Sequence, residues 1–340
     1  MTSSGNDRKF EEFDQRLDRI ITLDFGGRGV EHLYRAARER QKYPLTGAAA
    51  DCLASIPSGS TVLITTGSVS RAWISPTIGE NDGPAGAAAV VRALVIARKA
   101  VCVVLAEESL LQSIGAILTT AGLSVATYEQ ARAASIDGSL ASVCLRSFPL
   151  TDEEAPAAAA RLLDELEPKL LFSTERVGRN ADGIYCSMRG LDYGMGRARI
   201  DYVFEEARRR SLPTVSVGDG GNEIGMGVIA QAVRDHVKFG DKRPGGGAGI
   251  GAVSCADVLV TAACSNWGCY GIVAALAARL ADSRLIHTPE MENLLLRRGI
   301  DVGLINTVDG FVDANVDGIS ALTHTAIVQL LGAVIQPLIR

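Results

Sequence analysis

A single large α/β domain, with a mostly parallel, doubly wound sheet and helices on both faces, follows from three observations. Short runs of Val, Ile, Leu and Thr alternate with helical patterns of roughly ten to fifteen residues, the rhythm of right-handed βαβ crossovers. Hydrophobic residues make up 47% of the 340 but aromatics only 5%, a core of small aliphatic side chains that suits strands buried on both faces. Four polar segments each directly follow a strand, and in open α/β sheets that edge is where ligands bind.

The elements follow in order. Residues 1–16 are polar with both charge signs and are expected to form a flexible lead, with the domain running over 17–335. Phe10–Asp18 and Val30–Gln41 have amphipathic helical periodicity, joined through the turn Phe25-Gly26-Gly27-Arg28-Gly29. Thr61–Thr66 is the first convincing strand, followed by a loop over Gly67–Asp82 and a helix from Pro84, a residue suited to a first turn. Val101–Leu105 predicts a strand and Leu110–Ala121 a helix; Leu123–Thr127 and Ser142–Leu145 predict further strands. Asp152–Leu166 is an Ala-rich helix with acids in its first turn, as the helix dipole favours. Lys169–Ser173 reads as a strand, Ile200–Arg210 as a helix, and Pro213–Val217 as a strand leading to a helix over Val228–Val237. Ala256–Thr261 is a strand, Cys264–Gly268 a turn, and a helix then reaches Leu280. Met291–Arg298 predicts a helix, Val302–Asn306 a strand and Gly318–Leu331 a closing helix, while Pro244–Gly251 is a flexible glycine-rich loop.

The formal charge of −5 is mild and carries no Lys/Arg block, which argues against a nucleic-acid face. Seven scattered cysteines and four dispersed histidines form no CxxC or Cys/His spacing, so neither a disulfide framework nor a zinc site is expected. No N-terminal apolar signal is present, and no segment reads as long and apolar enough for a bilayer. A cytoplasmic protein acting on a small acidic molecule, without membrane or nucleic acid and with homo-oligomerisation left open, is the expectation.

The chemistry concentrates in the four post-strand segments. They are Glu80-Asn81-Asp82-Gly83-Pro84, then Glu175-Arg176-Val177-Gly178-Arg179-Asn180-Ala181-Asp182-Gly183, then Gly218-Asp219-Gly220-Gly221-Asn222-Glu223-Ile224-Gly225-Met226-Gly227, and last Ser265-Asn266-Trp267-Gly268. A parallel sheet gathers all four on one edge. Asp82, Glu175, Asp182, Asp219 and Glu223 would then meet Arg176, Arg179, Asn222 and Asn266. Acids that close repel unless protons or cations neutralise them, and oxygen-rich ligation without histidine favours Mg²⁺ or Mn²⁺ over zinc. Plainer readings stand beside these. Asp82 before Gly-Pro also suits a helix N-cap, Asp182-Gly183 a simple turn, and Trp267 a core position. Glu175 and Arg176 suit surface pairs, Asp309-Gly310 and Asp317-Gly318 suit turns, and His324 suits helix packing.

Taken together and in this order, the four segments, with the last extended as Ser265-Asn266-Trp267-Gly268-x-Tyr270, resemble the C-terminal domain family of D-glutamate cyclase over about Leu17 to Leu331. The chain departs from that family's pattern at Ser68-Val69, where an aromatic is expected after Gly67, and at Cys269, where glycine is usual. Eukaryotic cyclases of this kind join the domain to a larger N-terminal one. The resemblance implies conversion of D-glutamate to 5-oxo-D-proline and water.

That reaction requires an amine to attack a γ-carboxylate, a poor electrophile. A divalent cation can withdraw charge from the carboxylate, and a carboxylate base must take the ammonium's proton. The expected assignment puts Asp219, Glu223 and Asp182 on the metal with Asp82 as a further ligand, and Glu175 as base. Arg176 or Arg179 clamps the substrate's α-carboxylate, and Asn222, Asn266 and Trp267 contact substrate. Two alternatives use the same residues: a Mg/Mn-dependent phosphomonoester hydrolase whose arginines take the phosphate, and a non-catalytic domain that binds an acidic metabolite.

Overall fold

A computed structural model gives the fold of residues 5–339. Helices α1 (Gly5–Ile21), α2 (Val30–Gln41) and α3 (Leu45–Ser55) precede strand β1 (Thr61–Thr66). There follow α4 (Pro84–Arg98), β2 (Val101–Ala106), α5 (Leu111–Thr120), β3 (Ser124–Ala126), α6 (Tyr128–Asp137), β4 (Ser142–Ser147) and α7 (Ala155–Leu166). Next come β5 (Leu170–Thr174), α8 (Asp201–Arg209), β6 (Thr214–Gly218), α9 (Ala230–His236) and β7 (Val258–Thr261). The chain closes with α10 (Ser265–Leu280), α11 (Pro289–Asp301) and α12 (Ala321–Ile335). Of the segment expected to be flexible, residues 1–4 lie outside the described residues.

All seven strands run parallel, in the order β3-β4-β2-β1-β5-β6-β7. From β1 the chain passes to β2 and the edge strand β3, inserts β4 between those two, then returns to build outward through β5, β6 and β7 on the other side. The neighbours β1 and β5 therefore flank the topological switch point, where the crossovers part and leave a crevice at the carboxyl edge. Side-chain alternation divides the core. Val62 and Ile64 of β1 face α3, α4 and α10, while Leu63 faces the layer of α7 and α8.

Helix α10 lies at the centre of the larger layer and is buried from Ser265 through Ala278. Its small residues allow this. A Cβ on Gly86 of α4 would stand 2.9 Å from the Asn266 Cα, so the two helices touch backbone to side chain at their first turns. Helix α6, which lacks strong periodicity, is set by a capping box between Thr127 and Gln130.

Three sequence expectations change. Val302–Asn306 is not a strand: Gly303 turns at φ +75°, and only Ile305 makes an isolated parallel bridge, to Glu80. Ser265–Gly268 is the first turn of α10 rather than a loop before it. One helical stretch, Ala321–Leu338, is long and apolar enough to cross a bilayer by length and composition. Its inner residues His324, Ile327, Val328, Leu331 and Ile335 are buried, against α1, α10 and α11.

Candidate active site

The switch point brings three carboxylates together. Asp82 ends the loop after β1, Glu175 follows β5 directly and Asp219 follows β6. One oxygen from each lies within 4.8 Å of the others. Asp82, Asp317 and the Cys264 thiol form a second, overlapping group of the same kind. Arg28, from the turn before α2, donates to Asp219 at 3.1 Å and to Asp317 at 3.0 Å. In sequence Arg28 reads as part of a connecting turn, and Asp317 as a turn residue with a position near the site as the lesser alternative.

Each acid is held by identifiable local structure. Asp82 does cap a helix, but not the one that follows it. Its two oxygens accept the Ser265 and Asn266 N–H groups at 3.0 Å each, at the start of α10. Asn266 returns the contact: its Oδ1 accepts the Gly83 and Gly86 N–H groups at 3.1 and 2.6 Å, at the start of α4. The two helices thus cap one another, satisfying donors that a buried helix start would otherwise orphan. Glu175 has φ +52° and Asp317 φ +54°. For a glutamate that left-handed conformation is strained, and such strain concentrates at functional sites. Gly83, at φ +95°, leaves the room, since a Cβ there would lie 2.9 Å from the Glu175 Cβ. The Ser265 hydroxyl donates to Glu175 at 2.5 Å.

The glycine-rich turn after β6 folds around Glu223. Its carboxylate accepts the Gly220 and Gly221 N–H groups at 2.8 Å each and the Asp219 N–H at 3.3 Å. The side chain holds the turn that presents Asp219. Asn222 likewise braces the turn, donating to the Cys186 carbonyl at 2.7 Å. Trp267 is fully buried, and its indole N–H donates to His324 Nδ1 at 2.7 Å. Both residues therefore take the packing role.

Three expected site residues are placed elsewhere. Arg176 is fully buried and paired with Glu107 at 2.6 Å, with further bonds to the Gly67 and Ala198 carbonyls. Arg179 pairs with Glu205 at 2.5 Å and Asp201 at 3.4 Å, and stacks on Tyr202. Neither guanidinium faces the acids, so the phosphomonoesterase alternative loses its phosphate clamp. Asp182 is 40% exposed beside Arg243 and accepts the Ala248 N–H at 2.7 Å. It ties down the glycine-rich loop and stays out of the cluster.

Burial pushes Asp82 up to about 8, reinforced by the charge of Asp317 and opposed by the α10 N–H groups. Burial, then Asp219 and Asp82, raise Glu175 well above the carboxylate range. Burial and Asp317 do the same to Asp219 against the pull of Arg28. Glu80 rises to about 7, chiefly through burial. Cys264 stays a neutral thiol because burial and Asp82 raise it. Two carboxylate charges no more than 4.8 Å apart repel by at least about 3.5 kcal/mol at an effective dielectric of 20. Arg28 neutralises one edge of the group, so the remaining acids need protons or a cation. The Asp82, Glu175 and Asp219 oxygens fit that need: they are close, buried and rich in charge, and could hold a metal ion.

Comparison with known proteins places the chain in a family. A family model described as D-glutamate cyclase-like, C-terminal, matches residues 17–332. The chain belongs to that family. Human D-glutamate cyclase, mitochondrial, is 31% identical over 275 residues, covering 77% of this chain and 38% of the human protein. The chain therefore spans well under half the length of that relative. A solved structure of a single-residue variant of actinorhodin polyketide ketoreductase with NADPH aligns over 83% of this chain and 93% of that one, at 14% identity and a TM-score of 0.28. That likeness is too slight to inform the cyclase-like site.

Proposed function

We propose that this chain is a metal-assisted D-glutamate cyclase, closing D-glutamate to 5-oxo-D-proline with release of water. The observation that carries the reading is the convergence of Asp82, Glu175 and Asp219 at the switch point, in a chain whose family includes a D-glutamate cyclase. In the reaction the amine nitrogen bonds to the γ-carboxyl carbon. Two protons leave the ammonium group, and one carboxylate oxygen departs with two protons as water.

Glu175 is suited to take the first proton because it directly follows β5 at the cluster, and the Ser265 hydroxyl fixes its orientation. Asp82 and Asp219 are the residues that would hold Mn²⁺ or Mg²⁺ with it, since all three offer hard oxygen donors. Such a cation, when bound, supplies charge withdrawal from the γ-carboxylate. Arg28 sits at the rim, 31% exposed, where it bridges Asp219 and Asp317 and offsets part of their repulsion. Holding the substrate folded within this frame supplies the entropic part of the barrier.

The test is 5-oxoproline formation from D-glutamate by purified protein, with Mn²⁺, with Mg²⁺ and after chelation, and with L-glutamate as control. Metal-dependent product from the D-isomer supports the proposal. Absence of product with either metal refutes it.

A further inference from the structure

With Arg176 and Arg179 both committed, the site lacks an assigned group for a substrate carboxylate. Arg197 has the free valence. It lies in the segment between β5 and α8 and is fully buried. One terminal nitrogen, Nη1, donates to the Tyr193 carbonyl at 2.8 Å. The guanidinium stacks over the Tyr193 ring, 3.4 Å from its centroid. The remaining donors, Nε and Nη2, are buried and have no partner. These two N–H groups form the side-on edge of an arginine, two parallel donors whose spacing matches the oxygens of one carboxylate.

A buried cation with two unmet donors is costly unless an anion completes it. Neither nearby acid hydrogen-bonds to it. Glu107 is taken by Arg176. Glu80 feels the Arg197 charge but accepts the Ser68 hydroxyl at 2.7 Å. The segment that carries Arg197 is tied to the acid cluster at two points: the Ala198 carbonyl accepts Arg176, the neighbour of Glu175, at 2.6 Å, and the Cys186 carbonyl accepts Asn222 of the Asp219 turn at 2.7 Å. The covering segment reaches the same place: Met188 Sδ sits 2.5 Å from where a Gly220 Cβ would stand.

We propose that the Nε/Nη2 edge of Arg197, on its Tyr193 platform, is a carboxylate-binding subsite, and that it takes one carboxylate of an acidic amino-acid substrate while the reacting end faces Asp82, Glu175 and Asp219. Identifying the ligand as D-glutamate rests on the cyclase reading; the carboxylate subsite does not.

The probe is glutarate, a dicarboxylate that has no amine and cannot cyclise. Its binding is measured by calorimetry on Mn²⁺-saturated wild-type protein, Arg197→Met and Arg197→Lys. Losing a charge-assisted, two-pronged contact is expected to weaken glutarate about 30-fold in Arg197→Met. Arg197→Lys keeps the charge but not the edge, and is expected to recover little of that loss. Mn²⁺ affinity stays within about twofold in both variants, because Arg197 touches none of the three acids; a chain that merely failed to fold would lose both ligands. Glutarate that fails to bind wild type, or binds Arg197→Met as well as wild type, overturns the proposal. A lowered melting temperature with unchanged glutarate affinity would instead make Glu80 the arginine's partner, and also overturns it. Glutarate bound through Arg197 in a protein that does not cyclise D-glutamate leaves the subsite standing and removes only the cyclase reading.

Discussion

Replacing Asn266 by alanine tests the reciprocal capping that places Asp82. In the native structure Asn266 Oδ1 receives the Gly83 and Gly86 N–H groups at the start of α4. Gly83 keeps a second acceptor in the variant, since Asp82 Oδ1 also lies 2.8 Å from its nitrogen. Gly86 has no such reserve, and its N–H is left buried against α10. An orphaned buried donor costs about 2 kcal/mol, and the void left by the shortened side chain adds about 1 kcal/mol. Unfolding entropy for a chain of this length is about 0.7 kcal/mol per degree, so the predicted loss is about 4 °C in Tm, read by calorimetry. Asn266→Asp restores the acceptor. It is predicted to match wild type near pH 5 and to fall below it toward pH 8, as the added buried acid ionises beside Asp82. A drop under about 1 °C for the alanine variant would show that Asn266 does not hold the two helices and would refute the capping account.

Further predictions concern charge. Asp82 at about 8 and Glu80 at about 7 bind protons more tightly folded than unfolded, so metal-free protein is most stable on the acid side. Its Tm falls as pH rises from about 5 to 8, and Mn²⁺ or Mg²⁺ flattens that fall; a metal-free Tm that rises over the same window contradicts the assignment. Arg176→Met leaves Glu107 buried and unpaired and is predicted to cost about 3–5 kcal/mol, whereas Arg176→Met with Glu107→Leu recovers much of it in urea unfolding. Equal stability of the single and double variants would count against the pair.

The fold was legible because strand-and-helix alternation depends on local pattern, and the crevice followed from parallel strands. Asp82, Glu175 and Asp219 were legible for the same reason, as each lies in the segment between a strand and the next helix, Glu175 and Asp219 directly after their strands and Asp82 at the end of the loop after β1. Side-chain direction was not. Arg176 and Arg179 are neighbours of Glu175 in sequence, yet one turns under the sheet edge to Glu107 and the other outward to α8. Arg28 and Asp317 are 289 residues apart and meet only through tertiary folding. Glycine-flanked turns at both places give no periodicity to betray the contact. The 302–306 segment misled because a short apolar run bounded by turns looks alike in a strand and in a packed loop.

The central claim is that Asp82, Glu175 and Asp219 form one divalent-cation site at the switch point, with Asp182 outside it. The direct measurement is equilibrium Mn²⁺ binding at pH 8, followed by the loss of the free-ion paramagnetic resonance signal, in wild type, Asp219→Asn and Asp182→Asn. Wild-type protein is predicted to bind, Asp182→Asn to retain that affinity, and Asp219→Asn to lose at least about tenfold, the scale of one lost charged ligand. Weakened binding in Asp182→Asn with unchanged binding in Asp219→Asn would contradict it.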